Sequence, residues 1–147
     1  KEGELVNTLV SSRTAAEYNR TTNYAETGEY LRSPKMEPGS LKQEDILKAI
    51  DTGLYLSNIH YLNWSDNPGG RITGLTRYAC FWVKNGEIEG PINTMRFDET
   101  IYNILGKNLM GLTDVQHLLM DCSTYEERST FSTCLPGALV DGFKMTL

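Results

Sequence analysis

The sequence lacks the features of several common protein classes. Its longest apolar stretches, such as residues 78–83, fall far short of the roughly 20 residues that a membrane-spanning helix needs. The glycine-rich motifs that cradle phosphates, GxxxxGK[ST] and GxGxxG, are absent. Basic residues number 14 against 19 acidic ones, a formal net charge of −5, which disfavours binding to a phosphate backbone. We therefore expect no membrane span, no nucleotide site and no direct contact with nucleic acid.

Zinc-ligating side chains are also few. There are three cysteines and two histidines, with no CxxC pair and no HExxH helix, so the chain cannot build a complete catalytic zinc centre by itself. Cys80 lies inside an apolar run and is expected to be a small buried hydrophobe. The odd number of widely spaced cysteines indicates reduced thiols, and hence a cytoplasmic location.

The length of 147 residues fits one domain, which we take as 1–147. The chain begins with Lys1 and polar charge, without the apolar core of a secretory signal, and we expect it to be a piece of a longer protein. Within it we predict a strand over 4–12 and a long irregular arm over about 13–39, with one helical turn near 15–18. Residues 40–147 are expected to form a core of helix and β-sheet.

The strongest local signal is a β-hairpin. Residues 78–84 and 87–92 flank Asn85-Gly86, a pair that tolerates the positive φ angles of a type I′ turn. The first of these strands is apolar on both faces, so it should lie at the centre of a sheet and be covered on both sides.

Capping signals predict two helices. One runs over about 41–51, with Ser40 and Gln43 as a capping box and Gly53 after its end. The other runs near 99–106, capped by Asp98 and closed by Gly106. Short strands are predicted at 54–56 and 138–140. The fold class is therefore α+β: mainly antiparallel β-sheet, barrel-like or sandwich-like, with two or three short helices.

One segment offers a candidate binding site. Thr73, Gly74 and Arg77 come directly before the predicted central strand and place two kinds of polar donor there, with a further hydroxyl at Thr76. They could form the polar wall of a cleft that holds an extended peptide or its carboxylate. The alternative is an ordinary turn in which Arg77 pairs with one of the many acids. The residues alone favour that alternative.

The order of motifs resembles the C-terminal region of the TldD/PmbA family. The likeness runs through Asp51–Asn58 (DTGLYLSN), Ile72–Arg77 (ITGLTR), Phe81–Ile88 (FWVKNGEI) and the following Pro91-Ile92. Gly3 to Ala16 is similar to the stretch that precedes these motifs in the family. The ordered set is specific, although each piece alone is weak.

The resemblance implies a function for the parent protein. Family members are described as modulators of DNA gyrase and as zinc-dependent peptidases, with zinc held by two histidines of an upstream HExxxH helix and by a cysteine near the C-terminus. Cys122 falls about where that cysteine belongs, although residues 121–128 do not match the family's GxCGKxGQ context. The resemblance thus predicts Cys122 as a possible metal ligand, and a chain that is inactive alone because it lacks the HExxxH helix.

Three interpretations follow for the whole protein. In the first, the chain is the C-terminal domain of a metallopeptidase homologue that shapes the peptide-binding cleft. In the second, it belongs to a non-catalytic partner subunit without metal, since the family forms homodimers and TldD–TldE heterodimers. In the third, it is an unrelated β-rich interaction domain with similar turns. The doubly apolar strand and the long arm also predict self-association of the chain.

Overall fold

The computed structural model describes residues 5–122, 124–125 and 128–146. Contacts divide the chain into two compact units. The first unit comprises Lys1–Lys35 and Leu119–Thr133, and the second comprises Met36–Leu118 and Cys134–Leu147. The expectation of a single domain stays a prediction, and each unit is described by itself.

The secondary structure consists of short helices and nine strands among the described residues. In chain order they are α1 (Ser12–Glu17), a 3-10 turn (Gln43–Asp45), α2 (Ile46–Ile50), β1 (Gly53–Leu56), β2 (Ile59–Asp66), β3 (Arg71–Thr76), β4 (Cys80–Lys84), β5 (Glu87–Pro91), β6 (Arg96–Thr100), a π-helical turn (Asn103–Lys107), β7 (Leu109–Met120), β8 (Ser132–Val140) and β9 (Met145–Thr146).

The first unit begins with a helix where a strand was expected. The hydroxyl of Ser11 accepts a hydrogen bond from the Thr14 amide at 3.2 Å and caps α1. Leu5 and Val6 are 80% and 69% exposed, and although Val10 and Ser11 are buried, no described part of this segment pairs as a strand. The predicted strand over 4–12 is therefore wrong across its described part. The irregular arm is confirmed beyond α1, because the described chain starts no further helix or strand before Gln43.

In the second unit, the helix predicted over 41–51 is present as the 3-10 turn followed by α2. Its cap is different from the expected one, because Lys42 precedes the first turn and Asp114 Oδ1 accepts a hydrogen bond from the Gln43 amide at 3.0 Å. Ser40 lies too early to cap, since the next residue, Leu41, already bonds to the backbone of β7. The positive φ after α2 falls on Asp51, while Gly53 starts β1.

The predicted hairpin is confirmed as β4 and β5, although its first strand starts at Cys80 and not at Tyr78. In the three-stranded sheet the order is β1-β4-β5, with β4 in the centre and every pairing antiparallel. Asn85 and Gly86 have φ angles of 53° and 76°, as a type I′ turn requires. Cys80 and Val83 are buried, but Trp82 is 39% exposed, so the coverage of both faces is incomplete.

A four-stranded antiparallel sheet, which we call the second sheet, has the order β2-β3-β6-β9. Two predictions are wrong here. The ordinary turn favoured for residues 73–77 is instead the end of β3 and the residue after it, because β3 pairs on both sides, with β2 and β6. Asp98 lies within β6, so the helical turn starts only after Thr100, whose hydroxyl accepts a hydrogen bond from the Asn103 amide at 3.2 Å.

The last sheet pairs β7 with β8. The strand predicted at 138–140 is confirmed as the end of the longer β8. With three open sheets and short helices, the α+β class is confirmed, and the sandwich-like form fits better than the barrel-like one. A search of the described helices found none with the length and apolar character needed to cross a bilayer.

Candidate functional site on the second sheet

One face of the second sheet is polar and partly exposed, and we call it the outer face. Residues directly opposite each other in an antiparallel pair share a face, which assigns its members from the register. They are His60, Asn63 and Asp66 of β2, Arg71, Thr73 and Leu75 of β3, and Arg96, Asp98 and Thr100 of β6. The opposite, inner face carries Phe97 and Glu99, both buried.

Thr73 forms a hydrogen-bonded link to Arg96 across the outer face. The Thr73 hydroxyl donates to the Phe97 carbonyl at 2.9 Å and accepts from Arg96 Nε at 3.2 Å. Arg96 stands opposite Leu75, which in turn stands opposite His60, so these three form one row across three strands. The predicted site residue Thr73 therefore holds an arginine that sequence reasoning missed.

Gly74 has a packing role on the inner face. A Cβ atom there would come within 2.8 Å of Phe97 Cζ and 2.9 Å of the His60 carbonyl oxygen. The register of β2 slips between His60 and Asn63, where Tyr61 has a φ of 58°, which is a β-bulge opposite Gly74. The close approach of this bulge and of the Phe97 ring explains why a residue without a side chain occupies position 74.

Arg77 lies just beyond β3 and does not join Thr73. Its guanidinium stacks on the Tyr78 ring, 4.6 Å from the ring centroid, and its amide donates to the Asn58 carbonyl at 3.0 Å. Tyr78 has a φ of 62°, an uncommon conformation for an aromatic residue, and its side chain is exposed. The buried Cys80 thiol donates to the Arg77 carbonyl at 3.2 Å and helps to hold this turn.

The far end of the outer face is neutralised by an ion pair. Arg71 Nη1 lies 3.0 Å from Asp98 Oδ1, and this bond and the charge of Asp98 raise the pKa of Arg71 above its usual range. No comparable carboxylate lies within ion-pair distance of Arg96 or Arg77 in the described part of the chain. The uncompensated positive charge of the face therefore lies at the end near His60.

Glu99 is a buried carboxylate, 2% exposed, on the inner face. Its Oε1 accepts hydrogen bonds from the Thr100 amide and from Asn103 Nδ2, both at 2.8 Å, while Oε2 has no hydrogen-bond partner among the described residues. Burial opposes its ionisation, but these hydrogen bonds and the charge of Lys144 outweigh burial, so the pKa of Glu99 lies below its ordinary value. This carboxylate ties the end of β6 to the π-helical turn.

Cys122 is exposed, and its thiol lies 3.6 Å from the Met120 carbonyl. Across residues 5–122, 124–125 and 128–146, no three His, Cys, Asp or Glu side chains gather closely enough to hold a metal ion. The described residues of this chain therefore do not form a zinc site by themselves. The role of Cys122 as one ligand among several stays a prediction.

The first unit has an open groove of about 370 Å³ lined mainly by apolar side chains. Tyr30 and Phe131 meet edge to face in it at a centroid distance of 5.8 Å, and the Arg32 guanidinium lies 5.2 Å from the Phe131 centroid. No candidate residue from the sequence lies in this groove. Its arginine is already stacked on a ring, whereas Arg96 is an exposed residue on a sheet, bonded through Nε.

Comparison with known proteins identifies the family to which this α+β chain belongs. The family model described as the PmbA/TldA metallopeptidase C-terminal domain matches residues 1–147, and the chain belongs to this family. The resemblance found in the sequence motifs is thereby confirmed. A search among curated proteins gives no match.

Two solved structures share the fold. One is a protein from Thermotoga maritima described as a modulator of a DNA gyrase, with a TM-score of 0.77 and 17% identity over 99% of this chain and 32% of that one. The other is TldE from Thermococcus kodakarensis, with a TM-score of 0.77 and 15% identity over 100% of this chain and 33% of that one. The chain thus spans about a third of the length of these two proteins.

Proposed function

We propose that this chain is the C-terminal domain of a zinc-dependent peptidase and that it shapes the cleft in which the peptide lies. The observation that carries the proposal is the match of the whole chain to a domain family described as metallopeptidase. Zinc in such an enzyme polarises the scissile carbonyl and activates water. The domain's own contribution is a sheet whose outer face presents Arg96 as a donor, held in place by Thr73, with Arg77 beyond its end.

Cys122 is proposed as a zinc ligand of the whole protein. Its thiol is exposed and forms no disulfide. Both properties are needed in a ligand to a metal ion that other parts of a larger protein also bind. The remaining ligands would come from residues outside this chain, because the described residues offer no cluster of their own.

The zinc proposal is tested on the full-length protein. We expect stoichiometric zinc that survives dialysis, lost on Cys122→Ser and kept on Cys134→Ser, which removes another thiol of the same chain. A well-folded protein without zinc would contradict the catalytic proposal and favour the non-catalytic partner subunit. Zinc that persists in Cys122→Ser would remove Cys122 from the ligand set and leave the catalytic proposal intact.

We also propose that the protein works as a homodimer or a heterodimer with a related subunit. Strand β2 lies at the edge of its sheet and is exposed along all its residues, including the large apolar side chains of Tyr61, Leu62 and Trp64. Exposed apolar edges of this kind tend to be covered by another chain or domain. Sedimentation of the full-length protein over a dilution series is expected to show a dimer, and a monomer at every concentration would contradict this.

A further inference from the structure

We propose that the outer face of the second sheet binds the side-chain carboxylate of an acidic residue in a peptide, with Arg96 as the carboxylate ligand. The inference rests on the proposed function in one respect, since that function supplies peptides as the molecules that reach this domain. It adds a preference for acidic peptide side chains and names Arg96 as the residue that recognises them.

Arg96 is held in a geometry that suits a carboxylate ligand. Its Nε is already bonded to the Thr73 hydroxyl at 3.2 Å, and that hydroxyl is fixed by its own bond to the Phe97 carbonyl at 2.9 Å. The guanidinium is thus held from one side, while its two terminal nitrogens remain for a carboxylate. Guanidinium and carboxylate match as a planar, two-bond pair, which makes arginine the usual residue for this task.

The charge of Arg96 is not neutralised by a neighbouring carboxylate. In a chain of net charge −5, Arg96 has no carboxylate partner among the described residues, although Arg71 on the same face has Asp98 at 3.0 Å. The row of Arg96, Leu75 and His60 lies at the end of the sheet where Arg77 follows β3. The charge of this end is therefore complementary to an anion and opposite to that of the chain as a whole.

The half-buried Leu75 lies beside Arg96 on the outer face. Leu75 lies between Arg96 and His60, with the outer two about 10 Å apart across neighbouring strands. An apolar centre beside a guanidinium suits a ligand with an aliphatic stem and a terminal carboxylate. A glutamate side chain has this form, with methylenes to cover Leu75 and a carboxylate to reach Arg96.

The test measures binding to the full-length protein with its metal removed by a chelator, so that no cleavage occurs. The probe is a short fluorescent peptide of alanine and leucine, acetylated and amidated at its ends, with a single central glutamate. Its partner has glutamine at the same place. Fluorescence anisotropy at low salt is expected to show about tenfold tighter binding of the glutamate peptide, as one charge-assisted bidentate contact provides.

Matched variants test the assignment to Arg96. Arg96→Gln should bring the glutamate and glutamine peptides to equal affinity, and Thr73→Val should reduce the preference because Arg96 loses its support. Arg20→Gln removes another exposed arginine, one of the first unit, and should keep the preference. Unchanged circular dichroism spectra establish that each variant is folded.

Several results would overturn the proposal. They are equal binding of the two peptides to the wild-type protein, a preference that survives Arg96→Gln, or no binding of either peptide. A glutamine peptide with a free C-terminal carboxylate is a further arm: an Arg96-dependent gain there equal to that of the glutamate peptide would show recognition of chain ends and contradict a side-chain site. Because metal plays no part, a protein that lacks zinc but prefers the glutamate peptide would disprove only the peptidase function.

Discussion

The Phe97 ring lies against the backbone of Gly74 at the centre of the second sheet. A Cβ atom at position 74 would come within 2.8 Å of Phe97 Cζ and 2.9 Å of the His60 carbonyl oxygen. Phe97 is fully buried, and the carbonyl belongs to the strand that bulges past Gly74, so neither neighbour can withdraw easily. The glycine of the candidate site thus serves the packing that positions β2, β3 and β6.

Replacement of Gly74 should therefore destabilise the fold. Gly74→Ala is expected to lower the free energy of unfolding by about 1–3 kcal/mol, the usual cost of overpacking a core. Urea denaturation measures the change. Gly90→Ala is the matched control within a strand, because a Cβ there meets nothing within 4 Å, and it should leave the stability almost unchanged. Equal stability of Gly74→Ala and the wild-type protein would contradict the packing role.

Sequence patterns predicted the parts of the fold that depend on local chemistry. The turn between β4 and β5 follows from Asn85 and Gly86, which accept positive φ angles without help from distant residues. Strand β3 was missed because its threonines and glycine are typical of turns. It is a strand because β2 and β6 pair with it on both sides, and those contacts are not local in sequence.

The candidate site was predictable to a similar extent. Thr73 was found because a hydroxyl and an arginine stand close together in the sequence, but its actual partner, Arg96, lies 23 positions away. Only the register of β3 and β6 brings these two side chains together. A prediction of paired strands at residues 71–76 and 96–100, with alternating exposure, would have placed Thr73 and Arg96 on the same face.

A distant cap gives the second prediction. Asp114 of β7 accepts hydrogen bonds from the Gln43 amide at 3.0 Å and from Lys42 Nζ at 2.8 Å, and so holds the start of the 3-10 turn. Asp114→Asn should lower the midpoint of urea denaturation at neutral pH, because the charge-assisted bonds are weakened. Ser40→Ala, at the position that sequence favoured as the cap, should have no effect. A larger loss in Ser40→Ala than in Asp114→Asn would contradict the assignment.

The same carboxylate makes stability depend on pH. The hydrogen bond from Lys42, followed by that from the Gln43 amide, holds the pKa of Asp114 below its ordinary value. A group whose pKa is lowered on folding stabilises the protein above its unfolded pKa and loses that effect as pH falls. The stability difference between wild type and Asp114→Asn should therefore be constant near neutral pH and shrink as the pH falls below about 4, the ordinary pKa of an aspartate, toward the lowered pKa of the folded protein. A difference that grows on acidification would have the wrong sign.

Glu99 gives the fourth prediction. Burial opposes its charge, yet the bonds from Thr100 and Asn103 and the charge of Lys144 keep its pKa below the ordinary value. The ionised form is thus favoured in the folded protein. Glu99→Gln should lower the denaturation midpoint at neutral pH and speed hydrogen exchange at the Asn103 amide, where the π-helical turn starts. Glu87→Gln, an exposed change of the same kind, is the control and should do neither.

The thiols give the last prediction, which concerns accessibility and is independent of zinc. Cys122 is exposed, Cys134 is partly buried, and Cys80 is 3% exposed, with its thiol directed at the Arg77 carbonyl. A thiol reagent under native conditions should therefore modify Cys122 first and Cys134 more slowly. Cys80 should react only after local unfolding of the second unit. Mass spectrometry of the labelled peptides identifies each site, and Cys122→Ser should remove the fast phase alone. Labelling of Cys80 as fast as that of Cys122 would show that the Cys80 thiol is accessible in the folded protein. The turn at Arg77 and Tyr78 would then lack the hydrogen bond from this thiol to the Arg77 carbonyl.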